Sequence, residues 1–165
     1  ALPSLAAALA GARGVVASDG LGGVVAQAAR NLERHRPPLP VAARVLPWQE
    51  AARGAAGRRF DVVLFSDAVY TQRGAFFLAD AVQRCVKRAG AVIGAAPPRR
   101  GGPWADFVAD MAWRDFEVEQ APIPAEIRAA AEEHLKSDSD SPGFAEDILG
   151  TDIWLWRRSL QKHEA

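Results

Sequence analysis

An acid, Asp67, and an aromatic hydroxyl, Tyr70, stand three residues apart at the end of residues 60–70, FDVVLFSDAVY. They follow the run Val62, Val63, Leu64, Phe65, Ser66. An unbroken apolar run of this length is what a strand buried on both faces of a parallel sheet looks like. Ligands of open α/β sheets bind just beyond the carboxyl ends of such strands. Asp67 and Tyr70 therefore fall where chemistry is usually done. A plainer reading makes Asp67 the cap of the next helix and Tyr70 a packed, amphipathic lid.

Two further strand ends carry residues of the same kind. Residues 14–18 read as a short buried strand that ends in Asp19 before Gly20. In nucleotide-binding α/β folds an acid at this place accepts hydrogen bonds from ribose hydroxyls, a task that suits a group with several acceptor sites and no donor. The alternative is an ordinary turn aspartate. Residues 41–46 read as another strand, followed by Pro47-Trp48-Gln49-Glu50. A flat indole there can stack on a purine, with Gln49 or Glu50 near its exocyclic amine; a packed core Trp is the competing reading. Arg99 and Arg100, set between prolines and glycines after residues 91–96, can hold carboxylates of an acidic partner bidentately, or be a solvated loop pair.

The elements that must position these residues alternate along the chain. Leu2, Leu5, Ala6 and Leu9 have helical spacing, and so do Val25, Ala28, Ala29 and Leu32 before the break at Pro37, Pro38 and Pro40. Leu78, Val82, Cys85 and Val86 form a helical stripe stopped by Gly90; residues 91–96 are a small-residue strand. Trp104, Phe107, Val108 and Met111 make a further helix, 116–120 a strand, 125–136 a helix, 137–147 a polar loop and 151–157 a last strand. The order α-β-α-β-α-β-α-β-α-β-α-β gives a doubly wound, largely parallel sheet in one α/β domain. Such a fold opens on a strand, whereas this chain opens on a helix and on Ala1 rather than Met. A first strand and first loop are therefore expected upstream.

Composition narrows the function. The chain has 165 residues, 49% hydrophobic and 24% charged, as one soluble domain with a sizeable core would have. Twenty basic residues balance twenty acidic ones, which argues against a dominant nucleic-acid footprint. No apolar run reaches the ~20 residues that span a bilayer. The single cysteine, Cys85, forms no intrachain disulfide and fits a reducing compartment, the cytoplasm and also the nucleus. His35, His134 and His163 are far apart and there is no CxxC, so a zinc site has no support. Asp138, Asp140 and Gly143 suggest a calcium loop, but Leu149 stands where the bidentate Glu belongs, and no metal is expected there. GxSxG, Walker-A and HExxH sequences are absent.

With the strand ends in order, the chain resembles a class I, seven-strand S-adenosylmethionine-dependent methyltransferase with a Rossmann-like sheet and an antiparallel last strand. More narrowly, it resembles the protein-lysine methyltransferases marked by DxxY after the fourth strand, here Asp67-Ala68-Val69-Tyr70. Ser18-Asp19-Gly20 before a helix carrying Asn31, Leu46-Pro47-Trp48, Ala96-Pro97-Pro98-Arg99-Arg100-Gly101 and the helix at 125–136 resemble the calmodulin-lysine N-methyltransferase branch. The likeness covers about residues 2–156. The family's glycine-rich first loop is not in this sequence.

The resemblance implies S-adenosylmethionine as cofactor, bound by Asp19, Gly20, Trp48, Gln49, Ser66 and Asp67. Asp19 would hold the ribose and Trp48 would border the adenine. It implies Asp67 and Tyr70 as catalytic residues, the acid orienting the incoming lysine and the phenol lining its channel. It further implies Arg99 and Arg100 as docking residues for an acidic protein substrate such as calmodulin, with neither nucleic acid nor membrane as partner. Two other functions compete. One is a non-catalytic methyltransferase-like interaction module, favoured by the missing loop. The other is a methyltransferase for RNA or a small molecule, which zero net charge and the lack of an NPPY-type motif disfavour.

Overall fold

Apolar runs and amphipathic stretches alternate in the computed structural model much as they do in the sequence. It describes residues 2–51, 60–96, 102–137 and 150–159. The elements are α1 (Leu2–Leu9), β1 (Val15–Asp19), α2 (Gly22–Glu33), β2 (Val41–Val45), α3 (Trp48–Glu50), β3 (Phe60–Ser66), α4 (Gln72–Cys85), β4 (Val86–Ala96), α5 (Gly102–Trp113), β5 (Phe116–Ala121), α6 (Ala125–Ser137) and β6 (Asp152–Arg158). They group into two units, Ala1–Arg58 and Arg59–Ala165.

In the first unit β1 and β2 pair in parallel, from Val15 beside Val41 to Asp19 beside Val45. Helices α1 and α2 pack on both strands. Ala8, Ala17 and Val25 are buried. The stripe expected on α1 is not the buried one: Leu2 and Leu9 are largely exposed, and Ala8 is the residue that is covered. A helix of eight residues seats little more than one contact, and the small Ala8 lets its backbone come close to the strands.

In the second unit the strand order is β3-β4-β6-β5. β3 and β4 are parallel, while β6 runs antiparallel to both β4 and β5, as expected of the last strand. Its core is aromatic. Phe65 meets Phe107 edge-on at 5.4 Å and Trp156 at 5.7 Å between ring centroids, and Trp104 stacks on Phe107 at 5.5 Å. Gly94 lies under these rings: a Cβ there would stand 2.5 Å from Phe65 and 2.9 Å from Trp156. Complete burial of a ring such as Phe107 contributes about 1.5–3 kcal/mol.

Helix α4 starts on a side-chain cap, Thr71 Oγ1 accepting from the Gly74 N–H at 3.0 Å. It buries Ala75, Leu78, Ala79, Val82 and Cys85. Burial pushes the Cys85 thiol above its ordinary range. Arg114, after α5, is buried and ties the two helices together. It donates to Asp110 Oδ2 at 3.1 Å on α5 and to Gln83 Oε1 at 2.6 Å on α4, and pairs with Asp80 at 3.4 Å.

Three expectations are corrected here. Val86 is the first residue of β4, so the helix ends at Cys85 rather than at Gly90. Gly90 is a strand residue whose missing side chain admits the neighbouring strand: a Cβ would lie 2.8 Å from the Asp61 carbonyl. Beside it, Lys87 Nζ bonds Asp61 Oδ1 at 2.7 Å and holds that exposed carboxyl below the usual range. Finally, among the described residues of its own unit β3 is not buried on both faces. Phe65 looks into the aromatic cluster, but Val62 and Leu64 on the opposite face are 47% and 38% exposed. Within this unit α4 and α5 cover one side of the sheet, and no described helix covers the other.

Candidate active site

The DxxY segment is held at both ends. Upstream, Phe65 is locked among Phe107, Trp104 and Trp156, which fixes Ser66, the last residue of β3, opposite Ala95. Asp67 follows directly, and its N–H donates to the Ala95 carbonyl at 2.8 Å. Its φ is 42°, in the left-handed region that few residues other than glycine enter and that aspartate tolerates. The chain thereby turns sharply off the strand. Downstream, Val69 is buried at 4% exposure and Thr71 caps α4. Between these anchors Tyr70 is 62% exposed, and its hydroxyl donates to Asp67 Oδ2 at 3.1 Å.

The expected pair is thus brought together at the carboxyl end of a parallel strand. The plainer reading does not hold: Thr71, not Asp67, caps the helix, and Tyr70 is too exposed to be a packed lid. Thr71 was legible, since a Ser or Thr just before a helical pattern is a start signal. Backbone strain of this kind gathers at functional sites, and an observed outlier is a reason to look for function there.

The first unit builds its own set. Asp19 is the last residue of β1, and its carbonyl accepts from the Leu46 N–H at 2.9 Å, which draws the ends of β1 and β2 side by side. Gly20 comes close to the next turn, where a Cβ would be 3.8 Å from the Pro47 Cα. Trp48 and Gln49 open the short α3 and are half-buried, whereas Glu50 is exposed. Asp19 Oδ1 accepts from the Leu21 N–H at 2.9 Å, so it also does the work of a turn aspartate. Oδ2 is left as an acceptor for a hydroxyl. Asn31 lies further along α2 and accepts from Gln27 Nε2 at 3.1 Å. A carboxylate, a glycine and an indole at adjoining strand ends fit the ribose and base of a nucleoside.

Arg99 and Arg100 lie outside the described residues, as do Asp138, Asp140 and Gly143. Among the described residues no cluster of His, Cys, Asp or Glu could hold a metal ion, and no helix is long and apolar enough to cross a membrane.

A family model described as lysine methyltransferase matches residues 4–111, which include both sets. Solved structures of similar fold include the [4+2]-cyclase SpnF, at 16% identity and TM-score 0.60, over 94% of this chain and 70% of that one. Another is the cyclopropane synthase MmaA2 of Mycobacterium tuberculosis, at 11% identity and TM-score 0.51, over 86% and 68%. A third is a phosphoethanolamine N-methyltransferase of Haemonchus contortus with phosphomonomethylethanolamine and S-adenosylhomocysteine, at 14% identity and TM-score 0.52, over 91% and 44%. At these identities the likeness is one of fold. Among curated proteins no match was found. The chain belongs to the lysine methyltransferase family.

Proposed function

We propose that this member of the lysine methyltransferase family transfers the methyl group of S-adenosylmethionine to the side-chain nitrogen of a protein lysine. The observation that carries the proposal is the Asp67–Tyr70 pair, hydrogen-bonded at the carboxyl end of β3 within the matched residues. When bound, S-adenosylmethionine supplies an electrophilic methyl on a sulfonium. The rest is the work of the chain's own residues.

By resemblance, Asp19 would accept from the ribose hydroxyls through the oxygen not committed to Leu21, with Gly20 next to it, and Trp48 with Gln49 would border the base. By resemblance, Ser66, the last residue of β3, and Asp67 after it would serve the cofactor and the incoming amine. The acceptor nitrogen must be neutral to attack, and a free lysine has a pKa near 10.4. Desolvation of the amine lowers that value, whereas a carboxylate beside it raises it. Asp67 is therefore a poor choice for a general base and a good one for orienting the amine. Holding nitrogen, methyl and sulfur in line is mostly a matter of positioning, and such positioning can supply several powers of ten in rate.

The finer proposal concerns the substrate. An acidic protein complements Arg99 and Arg100, and calmodulin is the one to which the stretch 96–101 points by resemblance. Two variants test these roles in the full-length protein. Asp67→Ala should abolish transfer; turnover that survives it removes the orienting role. Arg99→Glu with Arg100→Glu should weaken docking and flatten its salt dependence; no change in either removes the docking role.

A further inference from the structure

A second carboxylate stands on the same rim of the sheet as Asp67. Because β6 runs antiparallel to β4, its first residue, Asp152, lies at the carboxyl end of β4, paired with Ala96. Asp67 follows Ser66, which pairs with Ala95 from the other side of β4. Asp67, Ala96 and Asp152 thus form a row across the end of the sheet, with the two acids two strand spacings, about 10 Å, apart. Asp152 is half-buried, and its Oδ2 accepts from Gln120 Nε2 on β5. Among the described residues no cation meets it, so Oδ1 carries charge that burial makes costly to leave unpaired.

The surroundings of Asp152 suit a cation. Side chains two residues apart on a strand share a face at a spacing of about 7 Å, so Asp152, Trp154 and Trp156 follow one another along β6. Trp156 stacks along one side of Trp154, at 6.2 Å between ring centroids, and Asp152 comes on the other side. Trp104 meets Trp154 edge-on at 5.5 Å and steadies the indole, which stays half-buried. An indole and a carboxylate on either side of a gap attract an ammonium or a guanidinium, by cation–π contact and by charge.

We propose that Asp152 and Trp154 form a specificity subsite that takes a second basic side chain of the protein substrate, one close to the lysine that is methylated. The proposal rests on the lysine-methyltransferase reading and adds a substrate feature to it. An extended chain advances at most about 3.3–3.6 Å per residue, so the row of about 10 Å matches a separation of about three residues between the target lysine and the second cation. The subsite reads a neighbouring residue and not net charge, so an acidic protein that carries such a pair still fits.

Two readouts test it in the full-length protein, with capped hexapeptides as probes. Two of them carry one lysine and an arginine three residues before or after it; in the third, alanine replaces the arginine. The first readout is the Trp154 indole N–H resonance, assigned by its loss in Trp154→Phe. An arginine peptide should move it and the alanine peptide should not. Asp152→Asn removes the charge and still accepts from Gln120, so the fold is kept; it should need about ten times more arginine peptide for the same shift, as the loss of a charge-assisted bond does. The second readout is turnover. The parent should prefer an arginine peptide about tenfold in kcat/KM, through KM, and Asp152→Asn should lose that preference with kcat on the alanine peptide unchanged. A Trp154 resonance that ignores both arginine peptides overturns the proposal, and so does a preference that survives Asp152→Asn. A parent protein that binds S-adenosylmethionine but methylates no lysine overturns the function reading instead, and the titrations, which need no turnover, still decide the subsite.

Discussion

At the scale of single residues, Asp67 joins three constraints in one place: a left-handed backbone, a bond from its N–H to the Ala95 carbonyl, and a carboxylate bonded by Tyr70. The identity and spacing of the two side chains were legible in the sequence; the φ of 42° was not, because nothing local demands it. It accompanies the bond from the Asp67 N–H to the Ala95 carbonyl, and Ala95 lies on a strand far along the chain. Asp19 was legible as an acid at a strand end, but its double use, with one oxygen committed to Leu21, needed the coordinates. Cys85 gives a prediction that does not depend on function. Its thiol is buried and pushed upward, so at neutral pH it holds less thiolate than a free cysteine. Alkylation of the native protein at neutral pH should be slow and should speed up sharply on unfolding. A native rate equal to that of free cysteine would contradict the packing of α4.

At the scale of elements, the type and order of nearly every helix and strand followed from apolar periodicity, and the errors have local causes. Gly90 reads as a helix stop in sequence and is a close-contact position in a strand, since glycine serves both purposes. The unbroken run of β3 reads as burial on two faces, yet only the side with Phe65 is packed within its unit. Two substitutions probe the contacts that periodicity cannot reveal. Gly94→Ala would drive a methyl into Phe65 and Trp156 and should cost about 1–3 kcal/mol, read as a lower denaturation midpoint. Because Phe65 lies two residues before Asp67, activity should fall with it. Arg114→Met removes the cation between Asp80, Asp110 and Gln83, leaving carboxylates that keep some solvent, 16% and 23% exposed. Its cost should be about 3 kcal/mol, at the lower end for a broken buried pair. A midpoint unchanged in either variant would mean that the contact does not hold the element in place.

At the scale of the molecule, the chain offers two carboxylates of different character, each at the end of a parallel strand in its own unit. Asp19 is followed by Gly20 and its strand end adjoins the one that leads to Trp48, the set we propose for the nucleoside; Asp67 stands beside a phenol and a capped helix, the set we propose for the amine. The family match spans both residues, while the likeness to a cyclase and a cyclopropane synthase is a reminder that one fold serves several chemistries. The residue that receives the methyl group is therefore the central question. The most direct measurement is to incubate the full-length protein with S-adenosylmethionine carrying a labelled methyl group and calmodulin, and to locate the label by mass spectrometry. We expect it on a lysine nitrogen with the parent protein and nowhere with Asp67→Ala. Label on an atom other than a lysine nitrogen, or equal labelling by Asp67→Ala, would contradict the account.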